Sequence, residues 1–183
     1  EGTGGVTESL KERVIMPLTG SYKDTDHVLG HELVHSFQYD IALSRTDSIR
    51  FAFQLVPLWL TEGMAEYFSV GRVDAHTAMW MRDAALRDDL PSIETITRDM
   101  SYFPYRYGQA YLAYIGGKYG DVAVANLFKL TGRVGVDSAF VYTIGIDADS
   151  LSNEWSAAVK ETYLPLTEER DDPEKAGREV LSK

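Results

Sequence analysis

Cysteine is absent from this chain of 183 residues. Disulfide bonds, thiolate zinc sites and a cysteine nucleophile are therefore excluded, although this absence does not fix a compartment. Long apolar runs are absent too, since none approaches the roughly 20 residues that cross a bilayer as a helix. We therefore expect no membrane-spanning segment. The first residue is Glu1 and no basic-then-apolar leader follows it, which suggests a mature or excised fragment.

Positive charge is scarce. Lys and Arg number 18 against 28 Asp and Glu, for a net charge of −10. Because phosphate backbones must be neutralised by basic side chains, nucleic acid is not an expected partner. Hydrophobic residues make up 44% of the chain, enough for the core of one domain. We predict that domain over residues 1–166, with 167–183 as a charged, solvated tail or linker.

The apolar spacing predicts a mostly helical α+β domain, with a helical part over 72–166 and a first part over 1–71 that contains the two segments considered next. The one good strand candidate is 13–18, and residues 1–9 indicate a loose start. A first helix is predicted from a cap at Thr25 or Asp26 to about Tyr39, and a second from Pro57 to about Val70. The connection over 40–56 is expected to be partly helical. Further helices are predicted at about 75–88, after Ser92, at 105–118, after Asp121, at 137–144 and from Ser150 to 163.

The segment His31-Glu32-Leu33-Val34-His35 matches the pattern H-E-x-x-H. Residues four apart lie on one face of a helix, so both imidazoles can reach a single Zn²⁺ ion. The Glu between them can hold the attacking water as a general base. With the His and Glu content of this chain, chance would produce roughly 0.006 such matches. We therefore predict His31 and His35 as metal ligands and Glu32 as the catalytic base.

A catalytic zinc ion usually has three protein ligands and a water. Glu62 and Glu66 lie four residues apart in an otherwise apolar helix, where unpaired carboxylates would be costly. We predict Glu62 as the third ligand and Glu66 as the acceptor of an N–H from a ligating His. The alternative is that both are surface glutamates of an amphipathic helix.

H-E-x-x-H followed by W-L-x-E-G-x-A-E-Y resembles the gluzincin metallopeptidases of the peptidase MA clan. It is most similar to members found in bacterial envelope proteins and often fused to a TolB-like β-propeller. The resemblance implies a zincin-like fold with an active-site helix, a glutamate helix, a small N-terminal sheet remnant and a helical C-terminal subdomain. It also implies zinc ligation by Glu62, a hydrogen bond from the first His to Glu66, and a periplasmic or secreted location with a possible C-terminal propeller partner.

Pro104-Tyr105-Arg106-Tyr107-Gly108 is similar to the P-Y-x-x-G segment of gluzincin aminopeptidases, whose Tyr supports the oxyanion. Tyr105 is therefore the first candidate for that role and Tyr107 the second. For His27, one turn before the motif, we expect a place at the helix start or the rim of the site. For Arg106 we expect an exposed salt bridge, with contact to a substrate carboxylate as the alternative.

Together these residues predict zinc-dependent hydrolysis of a peptide or protein substrate. Residues 1–26 contain no G-x-M-E-N segment such as the aminopeptidases use for the substrate amine, which favours an endopeptidase. Two other interpretations remain open. The domain could be an inactive zinc-binding interaction module of a larger envelope protein, or a helical domain whose histidines only pack.

Overall fold

The computed structural model describes residues 4–18, 20–43 and 51–168, with the single residues 170, 176 and 177. Its first elements are two antiparallel strands, β1 (Val6–Glu8) and β2 (Arg13–Ile15), joined through a 3-10 turn. Val6 lies opposite Ile15 and Glu8 opposite Arg13. The predicted strand is confirmed over 13–15 only. The prediction of a loose start was wrong for β1, which is too short to show a two-residue alternation in its sequence.

Helices dominate the rest of the described chain. Those that frame the site are α1 (Tyr22–Leu43), α2 (Leu58–Val70) and α5 (Pro104–Tyr119). The others are α3 (Ala75–Leu86), α4 (Ile93–Arg98), α6 (Asp121–Val134), α7 (Val136–Ile144) and α8 (Ala148–Tyr163). The prediction of a mostly helical α+β chain is therefore confirmed.

Helix starts follow local side-chain chemistry. Asp74 and Ser92 accept hydrogen bonds from backbone N–H groups that have no partner within the first turns of α3 and α4. The first helix begins at Tyr22, before the predicted caps Thr25 and Asp26. The predicted cap Ser150 was also wrong, because its N–H donates to the side chain of Asp147, which caps α8 instead.

The segment between α1 and α2 is only partly described. Helix α1 continues to Leu43, and a 3-10 turn occupies Phe53–Leu55, while 44–50 lie outside the described residues. The predicted tail at 167–183 also lies mostly outside them. Within the described ranges no helix combines the length and the apolar character needed to cross a membrane.

The hydrophobic core is centred on α2, which packs against α1 on one side and α5 on the other. Trp59 on α2, Tyr111 on α5 and Trp155 on α8 are almost fully buried, and the last two rings stack 3.9 Å apart. A helix buried on nearly all sides needs apolar residues around its whole circumference. Polar groups on α2 are therefore exceptions that require partners.

Helix α1 buries several polar residues and exposes several apolar ones. Its polar residues His31, Glu32 and Gln38 are buried, whereas Leu33 and Phe37 are 45% and 68% exposed. Burial of polar groups is tolerated only when their hydrogen-bonding capacity is met. The partners of these polar side chains define the candidate site.

Candidate active site

Three predicted ligand residues meet between α1 and α2. The Nε2 atoms of His31 and His35 lie 3.1 Å apart, and Oε2 of Glu62 lies 3.2 Å from each of them. The two histidines are one helical turn apart, and Glu62 faces them from the neighbouring helix. The structure therefore brings together two imidazoles and one carboxylate whose donor atoms could hold one metal ion.

Hydrogen bonds on the far side of each ring fix its orientation. Nδ1 of His31 lies 2.9 Å from Oε1 of Glu66, and Nδ1 of His35 lies 2.8 Å from Oε1 of Gln38. The Gln38 amide is itself fixed, because its Nε2 donates to the carbonyl of Thr61 at 2.9 Å. Since both partners accept, each Nδ1 carries a proton. Each Nε2 faces the shared position, where it can bind a metal ion once it is deprotonated.

The electrostatics of this cluster favour a cation. Burial alone would lower the pKa of His31, but hydrogen bonds and negative charge from Glu62 and Glu66 outweigh it and raise that pKa to about 9. Burial alone would raise the pKa of Glu62, yet contacts with His31 and His35 lower it to about 2. A proton or a metal ion between these donors meets the same demand for positive charge.

Glu66 is shared by several cationic or donor groups. Its Oε1 lies 2.9 Å from Nε2 of His27 as well as from His31, and its Oε2 lies 2.9 Å from Nη1 of Arg106. Burial would raise the pKa of Glu66, but these partners lower it. Arg106 is only 9% exposed, so the expectation of an exposed salt bridge was wrong.

Glu32 is buried beside the same cluster and is held by strand β1. The hydroxyl of Thr7 lies 2.7 Å from Oε2 of Glu32 and 2.9 Å from its backbone oxygen. Gly5 allows the strand to approach this closely, because a Cβ there would lie 2.8 Å from Glu32 Cγ and Oε1. The short strand therefore positions the residue predicted to act as a base.

Tyr105 reaches the cluster from the first turn of α5. Its ring stacks on that of His31 at 5.7 Å and on that of Phe103 at 5.0 Å. Burial, followed by the negative charge of Glu62, raises the pKa of Tyr105 to about 12. The phenol therefore stays protonated at neutral pH and can donate a hydrogen bond.

Tyr107 lies on a different side of α5. It is 6% exposed and makes edge-on contacts with Trp80 and Tyr102, within the hydrophobic core. Burial raises its pKa. The structure thus brings Tyr105 but not Tyr107 to the cluster, because residues two apart on a helix point in different directions.

Two glycines set the position of α5. A Cβ at Gly63 would lie 2.4 Å from the carbonyl carbon of Gly108, and one at Gly108 would lie 2.1 Å from the carbonyl oxygen of Trp59. Helices α2 and α5 can cross this closely only without side chains at that point. The crossing places Tyr105 beside His31 and Arg106 beside Glu66.

The cluster opens into a cleft of about 470 Å³. Its floor is polar and contains His31, Glu32, His35 and Glu62. The walls come from β1, α1, the segment before α2 and the start of α5, and they include Val6, Tyr39, Phe53, Val56, Leu58 and Tyr105. Such a concave site with an apolar wall and converging polar groups is typical of substrate-binding clefts.

A comparison with family models matches residues 1–161 to the peptidase MA superfamily. The chain belongs to this superfamily. The match includes both helices of the cluster and the start of α5, so the peptidase-like fold agrees with the resemblance seen in the sequence. A search of curated proteins found no match, and neither did a search of solved structures.

Several contacts in this MA-superfamily domain were not foreseen from its sequence. Thr7, Gln38 and Arg106 each contact a predicted site residue from outside the two motif segments. His27 was expected at the helix start or the rim of the site; its side chain is one-third exposed, and its bond to Glu66 was not predicted. Helical spacing was the available signal for two of these contacts, since His27 lies four residues before His31 and Gln38 three residues after His35.

Proposed function

We propose that this domain is a zinc-dependent endopeptidase in which His31, His35 and Glu62 hold the metal ion and Glu32 is the general base. The observation that carries the proposal is the convergence of the three donor atoms within 3.2 Å of one another. Membership of the peptidase MA superfamily supports a peptidase-like fold. The cleft provides room for an extended peptide segment beside the donors.

The donor set suits zinc. Nitrogen and carboxylate ligands bound at 2.0–2.1 Å in a tetrahedron lie roughly 3.3 Å from one another. The observed separations of 3.1–3.2 Å are close to that spacing. The charge also fits, because two neutral imidazoles and one carboxylate leave a net positive site with a divalent ion. Three protein ligands leave a fourth position for water or substrate, as in catalytic rather than structural zinc sites.

When bound, zinc supplies Lewis acidity toward a carbonyl oxygen and lowers the pKa of water. Glu32 takes the proton of the attacking water and later delivers it to the leaving amine. Thr7 holds the Glu32 carboxylate for that transfer. The phenol of Tyr105, protonated at neutral pH, donates a hydrogen bond to the developing oxyanion. Glu66 and Gln38 keep the imidazoles in the tautomer that ligation requires.

The test measures metal content and cleavage together. Purified protein, loaded and then dialysed, should contain one zinc per chain and cleave members of a peptide library. Glu32→Gln should keep the zinc and lose at least about a thousandfold in turnover, because the substitution removes only the base. Wild-type cleavage rates in this variant would refute the assignment of Glu32. Removal of zinc by a chelator should stop cleavage, and added zinc should restore it.

Peptides blocked at both ends separate the endopeptidase from its alternatives. Cleavage of acetylated and amidated peptides supports an endopeptidase, whereas cleavage of free N-termini only indicates an aminopeptidase. A protein that binds zinc stoichiometrically but cleaves no library member is the inactive interaction module. A protein that binds no zinc at neutral pH leaves the histidines with a packing role.

A further inference from the structure

Arg106 lies behind the cluster rather than in it. Its Nη1 is 2.9 Å from Oε2 of Glu66 and 3.3 Å from Oδ2 of Asp74. The other oxygen of Glu66 accepts from His31. A single carboxylate therefore joins the guanidinium on α5 to the imidazole on α1. The path runs from Arg106 through Glu66 to His31, whose Nε2 faces the donor cluster.

Both side chains of this ion pair are buried. The side chains of Arg106 and Glu66 are 11% and 4% exposed, so neither charge is solvated by bulk water. A charge buried in this way requires an opposite charge close by. Oε1 of Glu66 lies 2.9 Å from both His27 and His31, whereas Oε2 makes no hydrogen bond among the described residues and has only the Arg106 guanidinium beside it. Without the guanidinium, Oε2 would be a buried charged oxygen with no partner, which favours movement of the Glu66 carboxylate away from its present position against His31.

We propose that Arg106 is a positioning residue for metal binding, which acts by holding Glu66 against Nδ1 of His31. The proposal rests on the proposed zinc site. Arg106 touches neither the donor atoms nor the cleft, and its effect passes through the Glu66 carboxylate. Loss of the carboxylate that accepts from a ligating histidine lowers metal affinity by about 10- to 100-fold in other metal sites, and loss of Arg106 acts through that carboxylate.

The experiment is a double-mutant cycle on zinc affinity, measured by competition with a chromophoric chelator. Arg106→Gln should weaken zinc binding by about 10-fold or more, and Glu66→Gln by a similar factor. The double variant should bind zinc no more than about twofold worse than Glu66→Gln alone, since the carboxylate through which Arg106 acts on His31 is then absent. Independent, multiplying losses would overturn the proposal, as would a loss below twofold in Arg106→Gln.

Two controls separate this effect from general damage. Arg72→Gln removes the same charge from an exposed pair with Asp121 and should leave zinc affinity within twofold. Thermal unfolding of the zinc-free variants reports whether they are folded. If Arg106→Gln does not fold, Arg106→Lys replaces it in the cycle. The shorter ammonium should cost about three- to tenfold in zinc affinity, and nothing further in the Glu66→Gln background.

The cycle distinguishes the two proposals. Wild-type protein that binds no zinc contradicts the proposed function. If the wild-type protein binds zinc tightly, two results contradict only the role of Arg106. One is an unchanged zinc affinity in Arg106→Gln or Arg106→Lys. The other is an equal loss of zinc affinity from that substitution in the wild-type and Glu66→Gln backgrounds. A spectrum of the cobalt-loaded variants adds a direct readout, because a shifted His31 ring should alter the visible bands of a tetrahedral site.

Discussion

The Thr7 hydroxyl on β1 and the Glu32 carboxylate on α1 lie 2.7 Å apart, which links the small sheet to the base of the proposed reaction. Replacement of Thr7 by Val keeps the shape and the strand preference but removes the donor. We expect turnover to fall about tenfold with zinc content and KM unchanged, because a hydrogen bond to a charged group is lost. Steady-state kinetics check this.

Thr7→Ser is the matched control for that variant. It retains the hydroxyl and should keep turnover within about threefold of wild type. Equal losses in the Val and Ser variants would show that packing of the Thr7 methyl, rather than its hydrogen bond to Glu32, matters.

Tyr105 and Tyr107 offer a comparison within one helix. Tyr105→Phe should lower turnover by about 100-fold or more, because a donor to the oxyanion is removed from the cleft. Tyr107→Phe should stay near wild type, since that ring packs against Trp80 and Tyr102. Zinc content should be equal in both. A larger loss in Tyr107→Phe would refute the assignment of the oxyanion role.

The stability of the zinc-free protein should depend on pH through His31. Its pKa is raised to about 9 in the folded chain, mainly by Glu62 and Glu66 against the opposing effect of burial. Because the folded chain binds this proton more tightly than the unfolded chain, protonated His31 stabilises the fold. This stabilisation is complete at pH values below the unfolded pKa of about 6.5, and it is lost as pH rises through 9. Urea unfolding at pH 6 and pH 9.5 should differ by on the order of 3 kcal/mol. His31→Gln should flatten this dependence, and a wild-type free energy that does not change with pH would contradict it.

The crossing of α2 and α5 predicts a strong response to a single methyl group. Gly108→Ala would place a Cβ 2.1 Å from the carbonyl oxygen of Trp59, where backbone must move. We expect a loss of at least about 2 kcal/mol in the free energy of unfolding. Gly117→Ala on the same helix meets no atom within 4 Å and should stabilise by up to about 1 kcal/mol. Denaturant unfolding of Gly108→Ala and Gly117→Ala measures the two free energies of unfolding. Similar changes in both variants would argue against a close crossing of α2 and α5.

The local elements were predictable because their causes are local. Proline and glycine bound α2 at Pro57 and Gly71, and the structure places the helix between them. The four-residue spacing of His31 and His35 sets both imidazoles on one helix face, whatever that helix packs against. The start of α1 was missed because Thr25 and Asp26 were preferred to Ser21, whose hydroxyl accepts a hydrogen bond from the backbone N–H of Asp24. The end of α1 was missed because it runs into a segment of mixed character.

The sequence by itself determined the pair of imidazoles, the carboxylates one turn apart on α2, and the family pattern that connects them. Only the tertiary structure decided which groups surround them. Gln38 lies three residues after His35 on the same helix, so that contact follows from helical spacing, whereas Thr7 and Arg106 come from a three-residue strand and a third helix, and no helical spacing relates them to the histidine motif. Their positions depend on the close crossing at Gly63 and Gly108 and on the burial of the polar face of α1. Buried polar groups must find partners wherever the packed chain provides them, and packing is a property of the whole fold.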